Sequence, residues 1–416
     1  MISAPTACKT EIAIDRKQLQ LALKQAIRVI PHRSTKPILQ CVLLRADEGL
    51  LQVSATDMDV SYSKTINCTG LMGPCVVDAH ELGRRANASK HVQCMLRHDP
   101  ENSALVINGG RVEHRIHTLP PEEYPPILHC QNGPSIRVSA KVLQHAVTTC
   151  NRIAAREPTR YAINGVFLES EGSTSRLVAT DGRRMVVVEL EGAAGNFVGQ
   201  VILPLKFTKL VARFIDAKKD NEIRIHVDES SSSDDGNDQP AKIFAGGSGW
   251  TLATRAAEGS FPAYRDVIPP AASTFVVHRT ELVNLVNEVA IGAASLNQSV
   301  VLRFSPSALQ ISASSTGIES SSGSLEATFC GGGDEAIVVG VNPEYLIDAL
   351  KSFDGDEVGF DVRQNTLCRQ SNTVRSSPIC VRERGCESIC HVIMPVNLGL
   401  PPSLETLGSN CAALAA

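Results

Sequence analysis

Residues 15–30 read DRKQLQLALKQAIRVI, and they decide the fold because the chain writes this pattern three times. Asp15 stands where a helix N-cap belongs. Leu19, Leu23, Ala26 and Ile30 follow at the spacing that turns one stripe of an α-helix toward a core. The pattern recurs 124 residues on at Ser139, another capping residue, with Leu143 and Val147 in the places of Leu19 and Leu23. It recurs again 139 residues later, near His278, where Leu282, Val286, Val289 and Ala293 form the stripe. A repeat of that size is a whole small domain and not a solenoid unit.

Each helix is followed by stretches of alternating polarity that predict strands. These are Ile38 to Arg45 and Leu50 to Ala55, Ile163 to Ser170 and Arg176 to Ala179, and Val300 to Phe304 and Leu309 to Ala313. A second helix is predicted to start at about Asp78, Pro204 and Asn342; Asn342-Pro343 pairs a capping residue with proline at the first helical position. Each copy closes on a proline-bearing strand or turn, at Leu119-Pro120, Phe261-Pro262 and Met394-Pro395. Two helices and several period-two strands per copy predict an α+β fold with helices on one face of an antiparallel sheet. The predicted domains are 1–129, 134–270 and 273–398, followed by a tail, 399–416. Short connectors at 129–135 and 269–274 suit this division, and Asp228 through Pro240, mostly Ser and Asp, predicts a solvated loop between two strands.

Composition narrows the functional classes. Among 416 residues no apolar run approaches the roughly 18 needed to cross a membrane. Met1 to Thr10 lack both a basic flank and an apolar stretch, so no signal peptide and a cytoplasmic location are expected. The thirteen cysteines are unpaired in spacing, and the gaps among Cys368, Cys380, Cys386 and Cys390 match no common zinc pattern. They read as reduced core thiols, with no metal and no cofactor expected. No phosphate-binding glycine loop, HExxH or GxSxG is present, and His114 and His117 sit in a strand pattern without further ligands. No catalytic residue is expected.

Net charge is −4, yet binding depends on where the cations sit. Lys17, Lys24 and Arg28 share the face of the first helix opposite its apolar stripe; Lys141, His145 and Arg152 do the same in the second copy. The shorter helices add Arg84 and Arg85, then Lys206, Lys209 and Arg213. The third copy is weaker, offering Arg279 beside Glu281 and Glu288, and Lys351 beside Glu344 and Asp348. Such an uneven surface suits loose attraction to phosphates, and no interleaved aromatics or recognition helix point to base reading.

Four motifs, in order from about residue 9 to 398, resemble the bacterial sliding clamp family, the beta subunit of DNA polymerase III. They are Thr35-Lys36-Pro37-Ile38-Leu39 with Ala55-Thr56-Asp57; Tyr161 to Val166 with Val178 to Met185; Phe261 to Pro269; and Val392 to Leu398. The resemblance implies three tandem clamp domains in a crescent-shaped monomer that closes head to tail into a ring-shaped homodimer around double-stranded DNA, without sequence specificity. It implies a non-catalytic processivity factor that docks the replicative polymerase, the clamp loader and repair polymerases through short peptides. The family's peptide pocket, carried over by motif, would be lined by Ile163, Thr180, Gly182, Arg183, Arg184, Met185, Pro262, Val267, Asn342, Tyr345, Met394, Pro395 and Val396. Apolar walls would take anchoring side chains while Asn342 and the arginines orient polar atoms. By the same carry-over, Arg33, Arg156, Arg160, Tyr161 and Lys206 would contact DNA, alongside the helix cations above.

The chain departs from the pattern in places. Asn397 stands where the family often has Arg, Ala162 where an aromatic is frequent, and Ser312 to Ser324 is serine-rich where acidic residues are common. The tail continues past Leu398, where the family usually stops, and starts beside the implied pocket. These departures leave one alternative, a clamp-like scaffold that no longer loads on DNA.

Overall fold

The computed structural model describes residues 11–396 apart from 89–90, 110–111, 131–132, 158–162, 229–239, 270–272, 293–298, 315–319, 331–336, 363–365, 369–372 and 376. Arg160, Tyr161, Ala162, Ala293, Asn397, most of the Ser/Asp-rich insertion and the tail 399–416 therefore lie outside the described residues. The chain divides into two compact units. Unit 1 comprises residues 1–148, 165–175 and 190–258; unit 2 comprises 149–164, 176–189 and 259–416.

In unit 1, helix α1 (Arg16–Ile27) starts where Asp15 accepts a hydrogen bond from the Gln18 backbone N–H, and it buries Leu19, Ala22, Leu23 and Ala26. Tyr62, fully buried, donates from its hydroxyl to Ala22 O, which pins α1 to the sheet behind it. Helix α2 (Ala79–Ala88) has Asp78 capping Glu81 N. The third and fourth helices, α3 (Ala140–Ile153) and α4 (Leu205–Phe214), begin directly after Ser139 and Pro204, where the repeat predicts them.

Antiparallel strands of unit 1 run on from one repeat into the next: strand Val60–Gly70 pairs with Trp250–Arg255, register Val60 to Thr254. Phe214 of α4 sits edge-on to both Tyr62 and Trp250, at 5.4 and 5.7 Å between ring centres. A shared apolar cluster and a shared sheet explain why these two repeats form one compact body. The first repeat closes its own sheet. Ile12–Ile14 pair with Cys68–Gly70 as well as with Cys94–Leu96, so its strands close on themselves.

In unit 2, strands Ser175–Thr180, Arg184–Glu189, Ile389–Ile393, Ile379–Glu383, Glu357–Val362, Ser273–His278 and Thr328–Cys330 lie side by side in that order. A second sheet contains Ser320–Glu326, Ala308–Ser314, Val300–Ser305 and Ile337–Val341. Helix α5 (Arg279–Ala290) packs on α6 (Pro343–Leu350). Phe275, Phe304 and Phe360 pack in the core with tilted rings, and the half-buried Phe329 stacks on Phe275.

Two predicted strands begin late. Pro37 opens a 3-10 turn, Pro37–Gln40, because its fixed φ and missing N–H suit a helical first position, and the strand waits until Cys41. Strand Gly165–Glu171 likewise leaves Ile163 outside the ladder. Of the two places expected for the closing prolines, strand or turn, Pro120 and Pro395 take the second: they come just after strands Glu113–Leu119 and Ile389–Ile393. His114 and His117 lie in that first strand, as expected. No described helix is long and apolar enough to cross a membrane.

Candidate functional site

A tight turn in unit 2 organises the first candidate site. Thr180 Oγ1 donates to Arg184 O and accepts from Gly182 N, while Asp181 Oδ1 accepts from the Arg183 and Arg184 N–H groups. Gly182 takes φ +85°, a left-handed conformation that costs glycine nothing. The turn therefore fixes the start of strand Arg184–Glu189, which pairs with Ile389–Ile393 in the register Arg184 to Ile393.

Between that turn and the segment Phe261–Val267 lies a cavity of about 200 Å³. From the expected set it is lined by Ile163, Thr180, Gly182, Arg184, Met185, Pro262, Val267 and Met394, and in addition by Phe261, Tyr264 and Val392. Nearly every wall is apolar, which suits anchoring side chains of an extended ligand.

The polar members play other parts than the sequence suggests. Arg184, 12% exposed, is committed within the fold. It pairs with Asp181 at 3.1 Å and Asp348 at 2.7 Å, donates to Arg152 O, and lies 4.3 Å from the Tyr345 ring centre. Asn342 caps α6 by accepting from Glu344 N, and Tyr345 stands behind Arg184, so neither lines the cavity. Arg183 and Val396 contribute backbone: Met394 N donates to Arg183 O, and Val396 N to Gly340 O. Pro395, half-buried, falls between these two anchors and outside the lining. The three residues missed at the sequence level were in view, since Phe261 and Tyr264 flank Pro262 and Val392 precedes Met394 by one strand repeat.

The second candidate site is the helix face of unit 1. Gln20 Nε2 of α1 donates to Ala86 O of α2, Arg28 Nη1 at the C-cap of α1 to Arg213 O of α4, and Gln144 Nε2 of α3 to Ala212 O of α4. The four helices thus stand in a row, α2–α1–α4–α3. Lys17, Lys24, Arg28, Lys141, Lys209 and Arg213 are exposed along it. Arg33, in the loop after α1, and Arg152 and Arg156, both in unit 2, are exposed too. Several cations are also held by partners within the fold. Glu81 pairs with both Arg84 and Arg85, and Lys206 Nζ bridges Asp57 at 2.5 Å and Asp59 at 2.9 Å. In unit 2, Arg279 donates to Gly355 O.

Three consecutive family models cover nearly the whole chain. The N-terminal, central and C-terminal domains of the DNA polymerase III beta subunit match residues 10–128, 137–263 and 265–397. The chain belongs to the DNA polymerase III beta subunit family.

The beta sliding clamp of Vibrio cholerae is 25% identical over 394 residues, covering 93% of this chain and all of that protein. That of Escherichia coli K12 is 23% identical over 401 residues, with the same coverage. Among solved structures, the beta subunit of Pseudomonas aeruginosa superposes with a TM-score of 0.79 at 23% identity, over 93% of this chain and all of that one. The Bartonella birtlesii clamp, solved bound to griselimycin, gives 0.78 at 25%, over 94% of this chain and all of that one. A beta subunit is a processivity factor without chemistry of its own, and a match across all three domains does not favour the scaffold alternative. Among the described residues no cluster of His, Cys, Asp and Glu could hold a metal ion.

One buried group next to the unit 2 cavity is expected to make unit 2 sensitive to acid. His391, 2% exposed, precedes Val392. Ser352 Oγ donates to Ala349 O, so the 2.7 Å bond to His391 has Nε2–H donating to Ser352 Oγ. Burial, helped by the Arg184 and Arg152 guanidiniums, pushes the imidazole down from 6.5 to about 3. The native ring is neutral at neutral pH, while the unfolded chain takes up a proton below about 6.5. Stability is therefore whole above that pH and falls as pH drops toward 3, by up to about 1.4 kcal/mol per pH unit. Between pH 7 and pH 5, urea unfolding of unit 2 should weaken by roughly 2 kcal/mol more in the wild type than in His391→Gln. Equal losses in the two proteins would mean the ring does not carry this dependence.

Proposed function

We propose that two copies of this chain close head to tail into a ring around duplex DNA in the cytoplasm, and that partner peptides dock in the unit 2 cavity to be carried along. The three repeats correspond to the three clamp domains, with boundaries near 129–134 and 270–273. The observation that carries this reading is the helix row of unit 1, which turns one sign of exposed charge outward from a sheet-backed wall. Such a face attracts phosphates without reading bases. Held topologically, a ring needs only weak contacts to stay on DNA and slides for the same reason. A tethered polymerase then meets the primer end at high effective concentration.

Retention on DNA is the test. Loaded protein should persist on nicked circular DNA and be lost once that DNA is linearised; equal retention on both forms would overturn the ring. Lys17 and Lys24 make no ion pair with any described residue, so reversing both to glutamate should leave the fold intact. The double variant should lower DNA affinity and flatten the dependence of log K on log salt by about 2. An unchanged slope in a salt titration would place the DNA path elsewhere.

A further inference from the structure

We propose that unit 1 carries a second docking groove, the repeat counterpart of the unit 2 cavity. It would take an extended segment of a partner protein bearing apolar anchors and an acidic side chain. The idea builds on the docking reading of the unit 2 cavity but concerns different residues.

The two sites share a framework bond for bond. Thr56 Oγ1 donates to Val60 O and accepts from Met58 N, and Asp57 Oδ1 accepts from the Asp59 and Val60 N–H groups. Asp57 N donates to Val60 O at 3.3 Å, as Asp181 N does to Arg184 O at 3.2 Å. Adding 124 to each number reproduces the turn from Thr180 to Arg184. Both turns place their third residue in the left-handed region, Met58 at φ +79° and Gly182 at φ +85°. Opposite each turn stands a short 3-10 segment with a buried tyrosine. Tyr264 opens one in unit 2; in unit 1 Tyr124 follows Pro121–Glu123 and donates its hydroxyl to Cys41 O.

Anchored in this way, Pro125, Pro126 and Leu128 face Met58 and Val60 across a cavity of about 400 Å³. Its volume suits several side chains of a bound segment. Met58 is a large apolar residue 57% exposed, held in a conformation that disfavours any side chain, where the sister turn has glycine. A thioether at the mouth of a groove offers adaptable contact to an apolar partner.

Charge at the rim selects the occupant. Lys206 pairs with both Asp57 and Asp59, which leaves that trio one carboxylate charge in excess, and Thr254 Oγ1 donates to Asp59 O. Arg255 also lines the groove, is exposed, and forms no ion pair with any described residue. A carboxylate on the incoming segment would complete it, a pairing that an ammonium group cannot make.

Methionine methyl resonances can read both sites at once in the full-length protein. Met58 reports on unit 1, Met185 and Met394 on the unit 2 cavity, and Met72 and Met95 serve as controls. The probes are two synthetic peptides, Leu-Pro-Leu-Asp and Leu-Pro-Leu-Lys, each in the same Gly/Ser frame. The aspartate peptide should shift Met58, with the lysine peptide about tenfold weaker there. Arg255→Glu should reverse that preference and leave Met185 and Met394 unaffected.

A Met58 signal unmoved by either peptide would overturn the proposal. So would a shift identical for both and indifferent to Arg255→Glu, or one produced by duplex DNA and not by peptide. If Met58 responds as expected while a polymerase-derived peptide leaves Met185 and Met394 silent, the unit 2 reading fails and this one stands.

Discussion

Replacing Val267 with aspartate is expected to lower the affinity of a polymerase-derived peptide by about a hundredfold or more while unit 2 stays folded. Val267 is 38% exposed at the lip of the unit 2 cavity, so the native state tolerates a carboxylate there without burying it. Occupancy changes that balance. A docked apolar side chain gains about 1.5–3 kcal/mol from leaving water. Covering an aspartate that has no partner costs several kcal/mol more. A net loss of roughly 3 kcal/mol corresponds to about a hundredfold in affinity. Fluorescence anisotropy of a labelled peptide measures it, with Val267→Ile as the volume control and thermal unfolding to confirm the fold. Unchanged affinity in a folded Val267→Asp protein would remove this cavity as the docking site.

The second large effect is on stability. Arg184→Ala should destabilise unit 2 by roughly 2–4 kcal/mol, because one guanidinium serves four partners. Its removal leaves Asp181 and Asp348 without their counter-charge, Arg152 O without a donor, and the Tyr345 ring without its stacked cation. Asp348 is 37% exposed, so water recovers part of that loss, which keeps the expected value below that of a fully buried pair. Arg184→Lys should recover only a fraction, since an ammonium cannot spread over three acceptors and a ring in one plane. Peptide affinity should fall as well, because the arginine stem forms part of the cavity wall. Urea denaturation of the three proteins checks the order; an alanine variant as stable as the wild type would show that the network is only decorative.

The two substitutions also show what was legible in the residues. Val267, which the Phe261 to Pro269 motif marks, lies on the cavity wall. Arg184 was named from the Val178 to Met185 motif as a ligand-orienting group. The fold also pairs it with Asp348, which is 164 residues away, and no local pattern announces that pairing. Asn342 behaved in the opposite way. Its sequence signal, a capping residue before proline, matches the bond it accepts from Glu344 N. Lys206 looked like a free cation on a helix but is claimed by two carboxylates of the preceding repeat.

The sequence by itself determined the module, its number of copies and the starts of its helices. These depend on capping residues and apolar spacing, which act over a few positions and are written in order along the chain. The tertiary structure alone decided which charges remain available and which walls enclose a space. Those outcomes depend on which distant segments meet: the Phe261–Val267 segment against the turn at Gly182, and the proline segment after Tyr124 against the turn at Met58. Electrostatic pairing and cavity formation act through space, and the chain records them only once it has folded.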